Sequence, residues 1–152
     1  MRKAMLLFAL IGLASYLWAA DPFIGTWKMN AAMSKFSGMT PLKSFTIEYQ
    51  MQNDGFNAVE EIVDANGKFT RRSYAGKDDG KDSAIKGDPT IDTISGKRPK
   101  PNIVEYVAKK NGEEVFRGRC VVSDDGKSYT DVGSGKTPDG QEFTYSIVFE
   151  KQ

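Results

Sequence analysis

The feature that most constrains this chain is a two-residue alternation of apolar and polar side chains, which recurs in short segments from residue 44 onward. The clearest segment places four apolar residues at every second position: Phe45, Ile47, Tyr49 and Met51. Successive side chains of a β-strand point to opposite faces, so this segment has one apolar face and one polar face. The apolar faces of many such strands must be buried against one another, which predicts an all-β fold.

Turn residues separate the alternating segments at intervals of about ten residues. Four of these turns combine Asn or Asp with Gly: Asn53-Asp54-Gly55, Ala65-Asn66-Gly67, Asn111-Gly112 and Asp124-Asp125-Gly126. Asn, Asp and Gly adopt the positive φ angles that tight hairpins require. Strands joined by such turns lie antiparallel, so we predict a small antiparallel up-and-down β-barrel of about eight to ten strands.

Aromatic-rich strands are predicted at both ends of the barrel. The first strand lies at 23–28, and the last follows a turn at 137–140. The last strand carries its large apolar side chains on one face: Phe143, Tyr145, Ile147 and Phe149. In an up-and-down barrel the first and last strands can pair, which removes exposed strand edges. We therefore expect the barrel to close between these two strands.

Two segments do not follow the alternation. Residues 30–43 include Ala-Ala-Met-Ser-Lys-Phe, for which we predict one short helical turn that places Met33 and Phe36 over a mouth of the barrel. Residues 76–89 are rich in Lys, Asp and Gly, which predicts a long polar loop with a short strand at 83–86. A further strand is predicted at 91–97.

The first twenty residues have the pattern of a secretory signal peptide. A basic pair at 2–3 precedes an apolar segment at 4–13, and the small residues Ala19 and Ala20 end the leader. The uninterrupted apolar segment is shorter than the roughly 20 residues that cross a bilayer. We predict that residues 1–20 form a cleaved signal peptide, with cleavage after Ala19 and cleavage after Ala20 both left open.

Cleavage would leave residues 21–152 as one barrel domain, exported to the periplasm or the extracellular space without a stable membrane anchor. It would remove two of the 21 basic residues, leaving 19 against 20 acidic residues, a formal charge of −1. Proteins that bind nucleic acid use clustered Lys and Arg to displace counterions from phosphates. Here the basic residues are interspersed with acidic ones, and the pair Arg71 and Arg72 is predicted to lie in solvent. Nucleic acid is therefore excluded as a partner.

The residue inventory excludes most catalytic and metal chemistry. The chain has no His, which excludes His-based triads, His-ligated haem and the common zinc and copper sites. Its single cysteine, Cys120, cannot form an intramolecular disulfide and is predicted to be a small buried residue. The acidic segment 78–82 lacks the ligand spacing of a calcium loop and is predicted to be a solvated turn. We predict no cofactor, no metal and no enzymatic activity.

Two short motifs imitate known active-site patterns. Residues 133–137 resemble the end of a phosphate-binding loop, but Thr130 stands where that motif requires Gly, and Pro138 follows where a helix should begin. We predict a hairpin loop at 133–137. Ser83 and Lys86 match the spacing of serine acyl-enzymes, but a Gly follows at once and no helix can hold the pair. Neither motif is predicted to be functional.

The strand at 56–63 allows two orientations. If Glu60 points inward with Ile62, it is a buried acid and a candidate ligand contact or general base. If Glu61 points inward with Val63, then Glu60 is solvated. The alternation supports both orientations, and the choice between them stays open at this point.

Gly25-Thr26-Trp27 in the first strand resembles the Gly-x-Trp signature of lipocalins and fatty-acid-binding proteins, the calycin group of antiparallel barrels. The ending Phe149-Glu150-Lys151 resembles the aromatic-Glu-Lys close of the fatty-acid-binding branch. Nearly the whole domain resembles a family of uncharacterised exported bacterial lipocalin-like proteins, through the segments 21–28, 34–36, 87–89, 121–127 and 149–152. This resemblance implies a fold and a location outside the cytoplasm, and it implies no activity.

The resemblance also implies roles for single positions. Gly25 and Trp27 would form the barrel-closing motif, in which the Trp packs across the closed end under an Arg from a late strand. The last strand here contains no Arg. Ile147 stands where fatty-acid-binding proteins have the Arg that binds the ligand carboxylate. Arg117 and Arg119 could replace it, although their alternation with apolar residues favours an outward orientation.

Three hypotheses for the function follow, and the third, an enzyme, has no recognisable catalytic set of residues. In the first, which we favour, the barrel binds or carries a small hydrophobic ligand. Its binding surface would be formed by six inward side chains: Phe45, Ile47, Tyr49, Phe143, Tyr145 and Phe149. In the second, these side chains fill the interior of a ligand-free structural or protein-interaction module of the cell envelope. A cavity of roughly several hundred Å³ behind Trp27 would favour the first hypothesis.

Overall fold

The computed structural model describes residues 20–152, which form strands and turns with no helix. The strands are β1 (Gly25–Met29), β2 (Lys35–Ser37), β3 (Leu42–Gln52), β4 (Gly55–Asp64), β5 (Phe69–Gly76), β6 (Ser83–Ala84), β7 (Thr93–Lys100), β8 (Ile103–Lys110), β9 (Glu113–Val122), β10 (Ser128–Lys136) and β11 (Glu142–Lys151). A search of this range for a helix able to cross a membrane found none. Residues 1–19 of the predicted signal peptide lie outside the described residues.

The strands form one antiparallel sheet that curls into a nearly closed barrel. Its strand order is β5-β4-β3-β1-β11-β10-β9-β8-β7-β6, and the short β2 pairs with β11. From β3 onward, strands that follow one another in the chain are neighbours in the sheet, apart from β5 and β6. The prediction of an all-β up-and-down barrel is therefore confirmed, with ten strands along the sheet and β2 beside them.

The first and last strands lie side by side, as predicted. In the antiparallel pairing of β1 with β11, Trp27 lies opposite Lys151 and Met29 lies opposite Phe149. On its other side β1 pairs with β3, so it links the two halves of the sheet. Further along the edge of β11 that pairs with β1, residues 144–146 pair with β2, and the other edge pairs with β10. Neither terminal strand leaves a long exposed edge.

The Asn111-Gly112 hairpin shows how local chemistry sets the strand pairing. Both residues have positive φ angles, 52° for Asn111 and 82° for Gly112. Two consecutive positive angles define the type I′ turn, whose twist matches that of the flanking strands. The turn joins β8 and β9 at the positions that the sequence predicts, with Lys110 opposite Glu113.

The barrel has the least strand pairing where β5 and the segment after β6 meet, because one β-bridge joins them there. Ser73 in β5 and Lys86 exchange two backbone hydrogen bonds of 2.9 Å each. Gly87 follows with a φ of +89°, and a Cβ there would overlap the carbonyl oxygen of Arg71. Glycine therefore lets the chain lie directly against β5. We call this junction between β5 and residues 86–88 the seam.

The predicted helical turn at 31–36 is wrong. Its first residues form a turn closed by Asn30, whose backbone and side-chain oxygens accept hydrogen bonds from the Met33 amide at 3.3 and 3.2 Å. The chain then extends as β2, because pairing with β11 satisfies the backbone groups of both segments. Met33 is exposed, and Phe36 lies opposite Tyr145 in the ladder.

The predicted hairpin loop at 133–137 is also wrong, because β10 continues to Lys136. Gly133 lies opposite Tyr145 and Gly135 lies opposite Phe143, on the inner face of the sheet. Glycine inside a strand marks a close approach of other groups, and here it makes room for two aromatic rings. The turn comes later, at 137–140.

The inner face of the barrel packs as two hydrophobic clusters. The larger centres on Trp27, Tyr129 and Phe149, each at most 1% exposed. The buried members of the smaller cluster are Ile85, Ile91 and Ala108. Partly buried side chains packed against the two clusters, such as Tyr49 and Phe116, also border an interior cavity.

Candidate binding site in the barrel interior

The barrel contains a cavity of about 220 Å³ between the inner faces of its strands. Most of the bordering side chains are apolar or aromatic and come from alternate positions of the long strands. An engineered apolar cavity of roughly 150 Å³ binds benzene, whereas sites for drug-sized ligands measure roughly 300–1,000 Å³. The space is therefore suited to a molecule somewhat larger than benzene.

Five of the six side chains predicted to bind a ligand border this cavity: Phe45, Ile47, Tyr49, Phe143 and Tyr145. The sixth, Phe149, is fully buried elsewhere. Its ring stacks on Tyr129 at a centroid distance of 4.5 Å and meets Phe45 edge-on at 5.1 Å. Phe149 thus belongs to the filled part of the barrel, which narrows the candidate binding surface to the other five residues.

Trp27 lies in the same filled part and is inaccessible to solvent. Its indole N–H donates to the Phe23 carbonyl at 2.8 Å, and its ring meets Tyr129 edge-on at 4.9 Å. The ammonium group of Lys151 lies 5.1 Å from the indole centroid. A Cβ at Gly25 would come within 3.0 Å of Lys151 Cε, so glycine leaves room for that side chain. The resemblance implied that an Arg from a late strand packs over this Trp. Here Lys151 of the last strand supplies the cation at that place.

Glu60 points into the barrel, which decides between the two orientations of its strand. In the β3–β4 register Glu60 lies opposite the buried Ile47, and Glu61 lies opposite Thr46. Glu60 is only 4% exposed. Glu61 lies on the outer face, 3.3 Å from the guanidinium of Arg71.

Arg72 on β5 is the partner of Glu60. Its Nε lies 2.5 Å from Glu60 Oε2, and its Nη1 donates to Asp88 Oδ2 at 3.2 Å. The Tyr74 hydroxyl donates to the other Glu60 oxygen at 3.0 Å. Burial lowers the pKa of Arg72, but the charge of Glu60 outweighs burial and raises that pKa above its usual value. The prediction that Arg72 lies in solvent is therefore wrong.

A second polar cluster lies on strands β8 to β11. Asp131 is 8% exposed and accepts hydrogen bonds from the Tyr106 hydroxyl, which lies 3.0 and 2.9 Å from its two oxygens. The Tyr145 hydroxyl lies 2.5 Å from that of Tyr106. Because Tyr106 gives its one proton to Asp131, Tyr145 is the donor in this contact. Cys120 lies opposite Asp131 and is buried as predicted, and burial raises the pKa of its thiol.

Two glycines allow this cluster to form. Tyr106, Gly118, Gly133 and Tyr145 lie opposite one another on four successive strands. A Cβ at Gly118 would come within 2.5 Å of the Tyr106 hydroxyl, and one at Gly133 would overlap the Tyr145 hydroxyl. The two phenol groups therefore meet over the positions at which the strands carry no side chain.

Asp131 differs from Glu60 because it has no basic partner. The ion pairs found within residues 20–152 join the other inward acids to arginines and leave Asp131 out. Burial raises the pKa of Asp131, the hydrogen bond from Tyr106 lowers it, and the negative charge of Glu60 raises it further, to about 7. Near neutral pH Asp131 is therefore divided between its protonated and ionised forms.

The Tyr129 hydroxyl is a buried polar group without a hydrogen bond. Tyr129 is 1% exposed and borders the cavity, and its hydroxyl has no partner in the described part of the chain. Leaving such a group unpaired costs about 1–3 kcal/mol. A polar group on a bound molecule is one way to satisfy it.

A third polar cluster, centred on Arg98, also borders the cavity. The Arg98 guanidinium lies 2.7 Å from Asp78 and 2.9 Å from Asp21, and it lies over the Phe23 ring at 5.0 Å. The side chain of Asp78 is only 7% exposed, so the prediction of a solvated turn at 78–82 is wrong for this residue. Arg98, like Arg72, is matched by two carboxylates.

Arg117 and Arg119 lie outside the barrel. Their exposed guanidinium groups pair with Glu114 and Glu105 at 2.6 and 3.4 Å. Ile147, which stands at the position of the carboxylate-binding Arg, borders the cavity with an apolar side chain. No cluster of three or more Asp, Glu or Cys side chains suited to a metal ion is found between residues 20 and 152.

Arg72, Asp131 and Tyr106 are interior residues that the alternation of apolar and polar side chains does not predict. A signal for Arg72 is present, because counting across the turn at 65–67 places it opposite Glu60. Asp131 shares the alternation of Tyr129, but an acid at an inward position contradicts the apolar pattern from which inner faces are predicted. Its hydrogen-bond partner comes from another hairpin, and local periodicity does not reveal such a pair.

Two of the solved structures similar to this chain are ligand-bound proteins of very different sequence. Zebrafish ileal bile acid-binding protein complexed with cholic acid aligns with 86% of this chain and 99% of its own, with a TM-score of 0.52 and 11% identity. The protein EF1p2_mFAP2b, bound to DFHBI, aligns with 88% of this chain and 97% of its own, with a TM-score of 0.50 and 9% identity.

Likeness at this level of identity shows the fold alone. The chain has a calycin-type barrel, as its Gly25-Thr26-Trp27 strand predicted. No protein-family model matches the sequence, and no curated protein sequence matches it.

Proposed function

We propose that this chain is an exported binding protein, and not an enzyme, that holds one small and mainly apolar ligand inside its barrel. The observation that carries this proposal is the interior cavity of about 220 Å³ with its aromatic border. A cavity in a packed interior costs about 24 cal/mol per Å³ in stability. A module without a ligand would gain stability from larger side chains at these positions, so the open space favours binding.

The similar structures support the proposal by analogy. The bile acid-binding protein holds cholic acid and the second protein holds DFHBI, and both resemble this chain over nearly their whole length. Many functions share one fold, so the analogy only adds to the argument from the cavity. The absence of His and the N-terminal leader support the non-enzymatic and exported parts of the proposal.

Ligand binding is tested by native mass spectrometry of protein purified from its own host, together with NMR titration of naphthalene and 2-phenylethanol. We expect a co-purified small molecule and chemical-shift changes confined to residues that border the cavity. Val104→Phe, which adds volume inside, should weaken binding of both probes at least about tenfold. Val132→Phe, on the exposed outer face of the barrel, is the matched control.

A ligand-free structural or protein-interaction module would give a different result. Neither a co-purified molecule nor a probe-induced shift at the cavity would then be seen, and Val104→Phe would stabilise the fold. Export is tested separately by cell fractionation and intact mass. The proposal expects a processed chain that begins at Ala20 or Asp21, and recovery of the full-length chain in the cytoplasm would contradict it.

A further inference from the structure

The charges around the cavity are unbalanced. Each bordering guanidinium is already paired with two carboxylates: Arg72 with Glu60 and Asp88, and Arg98 with Asp78 and Asp21. The two bordering lysines have exposed side chains beside acids of their own: Lys77 beside Asp54 and Lys81 beside Asp79. Asp131 remains as the buried acid that forms no ion pair with a base within residues 20–152, although the charge of Arg72 acts on it from a distance. The interior therefore has an unmatched acid and no unmatched base.

This imbalance decides which charged ligand the cavity can accept. A ligand carboxylate would have to displace a buried carboxylate from Arg72 or Arg98, and the displaced acid would remain uncompensated. A cation meets no such competitor at Asp131. The Asp131 carboxylate accepts a hydrogen bond from the Tyr106 hydroxyl and faces the weak donor of the Cys120 thiol, and a carboxylate offers about four acceptor sites. Sites for further N–H donors are therefore left.

We propose that the cavity selects small primary amines, whose ammonium group pairs with Asp131 while the apolar body packs against Phe45, Tyr49 and Phe143. The inference rests on the proposed function and specifies the class of its ligand. The unpartnered Tyr129 hydroxyl supports it independently, because Tyr129 also borders the cavity and its buried oxygen is free to accept a hydrogen bond.

Amine binding depends on pH, because only ionised Asp131 forms the ion pair. The titratable and charged groups that face Asp131 are Tyr129 on its own strand, Tyr106 on β8, Cys120 on β9, Tyr145 on β11 and, from the opposite strands, Tyr49, Glu60 and Arg72. Burial moves the pKa values of the tyrosines and the thiol further above neutrality. Burial is the main cause that raises the pKa of Asp131 to about 7. Asp131 therefore changes its charge near neutral pH.

Affinity for the amine should therefore increase as the pH rises through 7. Below that pKa the ligand must displace a proton from Asp131, and binding weakens about tenfold per pH unit. The amine itself remains a cation between pH 5 and pH 8, since the pKa of an alkyl ammonium is about 10. We expect a gain of roughly a hundredfold between pH 5 and pH 8.

Three probes of nearly equal size test the inference by calorimetry or NMR titration: 2-phenylethylamine, its neutral isostere 2-phenylethanol, and the anion phenylacetate. At pH 8 the amine should bind roughly ten- to hundredfold more tightly than the alcohol, because hydrogen bonds to charged groups are the stronger ones. Phenylacetate should bind most weakly. Affinity for the alcohol should not change between pH 5 and pH 8.

Asp131→Asn keeps the shape of the side chain and its acceptor oxygen while removing the charge. It should abolish the preference for the amine and its pH dependence, with affinity for the alcohol within about threefold of the original. The matched control Glu61→Gln removes one negative charge from the outer face of β4 and should leave all three affinities unchanged. The pH profile of the unaltered protein tests the inference even if Asp131→Asn fails to fold.

The outcomes separate the two proposals. Amine selectivity that rises with pH and disappears in Asp131→Asn supports the inference. Equal binding of amine and alcohol, or tightest binding of phenylacetate, would overturn the inference and leave the proposed function standing. If none of the probes binds at any pH and no molecule co-purifies, both proposals fail.

Discussion

Glu60 and Arg72 form a buried ion pair between neighbouring strands, with Arg72 Nε 2.5 Å from Glu60 Oε2. Their side chains are only 5% and 14% exposed. One position along the same strands, on the outer face, Glu61 and Arg71 form a pair whose side chains are more than half exposed. Asp88 binds the free end of the buried guanidinium from across the seam. The barrel thus offers a direct comparison of a buried and an exposed pair.

Glu60→Ala should lower the free energy of unfolding by about 3–5 kcal/mol. The substitution leaves Arg72 with Asp88 as its one carboxylate partner and removes the acceptor of the Tyr74 hydroxyl. Urea unfolding followed by circular dichroism measures the loss.

Glu61→Ala is the matched control, because the same residue type is removed from the exposed pair. We expect a loss below about 1 kcal/mol. Similar losses in the two variants would show that the interior pair is solvated in solution.

Asp131 should make stability depend on pH between about 4 and 7. The pKa of Asp131 is about 7 in the folded state, above the ordinary 3.8, so the folded chain retains a proton that the unfolded chain releases. This contribution is fully present below about pH 4 and is lost as the pH rises through 7. A displacement of this size corresponds to at most roughly 4 kcal/mol.

Asp131→Asn has no such contribution to lose. The stability of the variant relative to the unaltered protein should therefore increase from pH 4 to pH 7 and become constant above. Denaturant titrations at a series of pH values measure this difference. Curves that remain parallel from pH 4 to pH 8 would contradict the raised pKa.

Gly133→Ala should destabilise the barrel by about 1–3 kcal/mol. The new methyl group would overlap the Tyr145 hydroxyl and force the ring away from Tyr106, which breaks the hydrogen-bonded series that ends at Asp131. Thermal unfolding gives the stability, and tyrosine side-chain NMR reports the displaced ring. Ser134→Ala, at the adjacent exposed position, should change the stability by less than about 0.5 kcal/mol.

Trp27→Ala should cost about 3–5 kcal/mol, because it empties a site inaccessible to solvent and removes the hydrogen bond to the Phe23 carbonyl. Lys151→Met keeps an unbranched side chain that is one atom shorter and removes the cation over the indole, and should cost about 0.5–1 kcal/mol. Thermal unfolding of the two variants under the same conditions measures both. A large loss in Lys151→Met would show that the cation contributes more than an exposed contact does.

The barrel could be predicted from the sequence because its determinants are local. Alternation in β3 and β11 places Phe45 and Tyr145 on inner faces, and the positive φ angles at Asn111 and Gly112 are built into those two residue types. Pairing of the first strand with the last followed from the need to cover their edges.

The polar interior could not be predicted in the same way. Arg72 and Asp131 occupy inward positions against the apolar pattern, and each is stabilised by groups distant in the sequence, such as Asp88 and Tyr106. Gly133 looked like a loop residue because local chemistry gives no sign of the Tyr145 ring that lies over it. In each case the missing information was a contact between side chains or backbone of different strands, which local periodicity does not reveal.

The single bridge between Ser73 and Lys86 bears on how the barrel opens as well as on its shape. Ladders of paired strands hold the rest of the barrel together. Across the seam, two backbone hydrogen bonds and the Arg72–Asp88 ion pair join the two sides. Local opening draws on the least stable elements of a fold. We therefore expect the barrel to open first at the seam, so that a ligand bound as proposed could exchange with solvent without global unfolding. Its residence time would then depend on how long the seam stays closed.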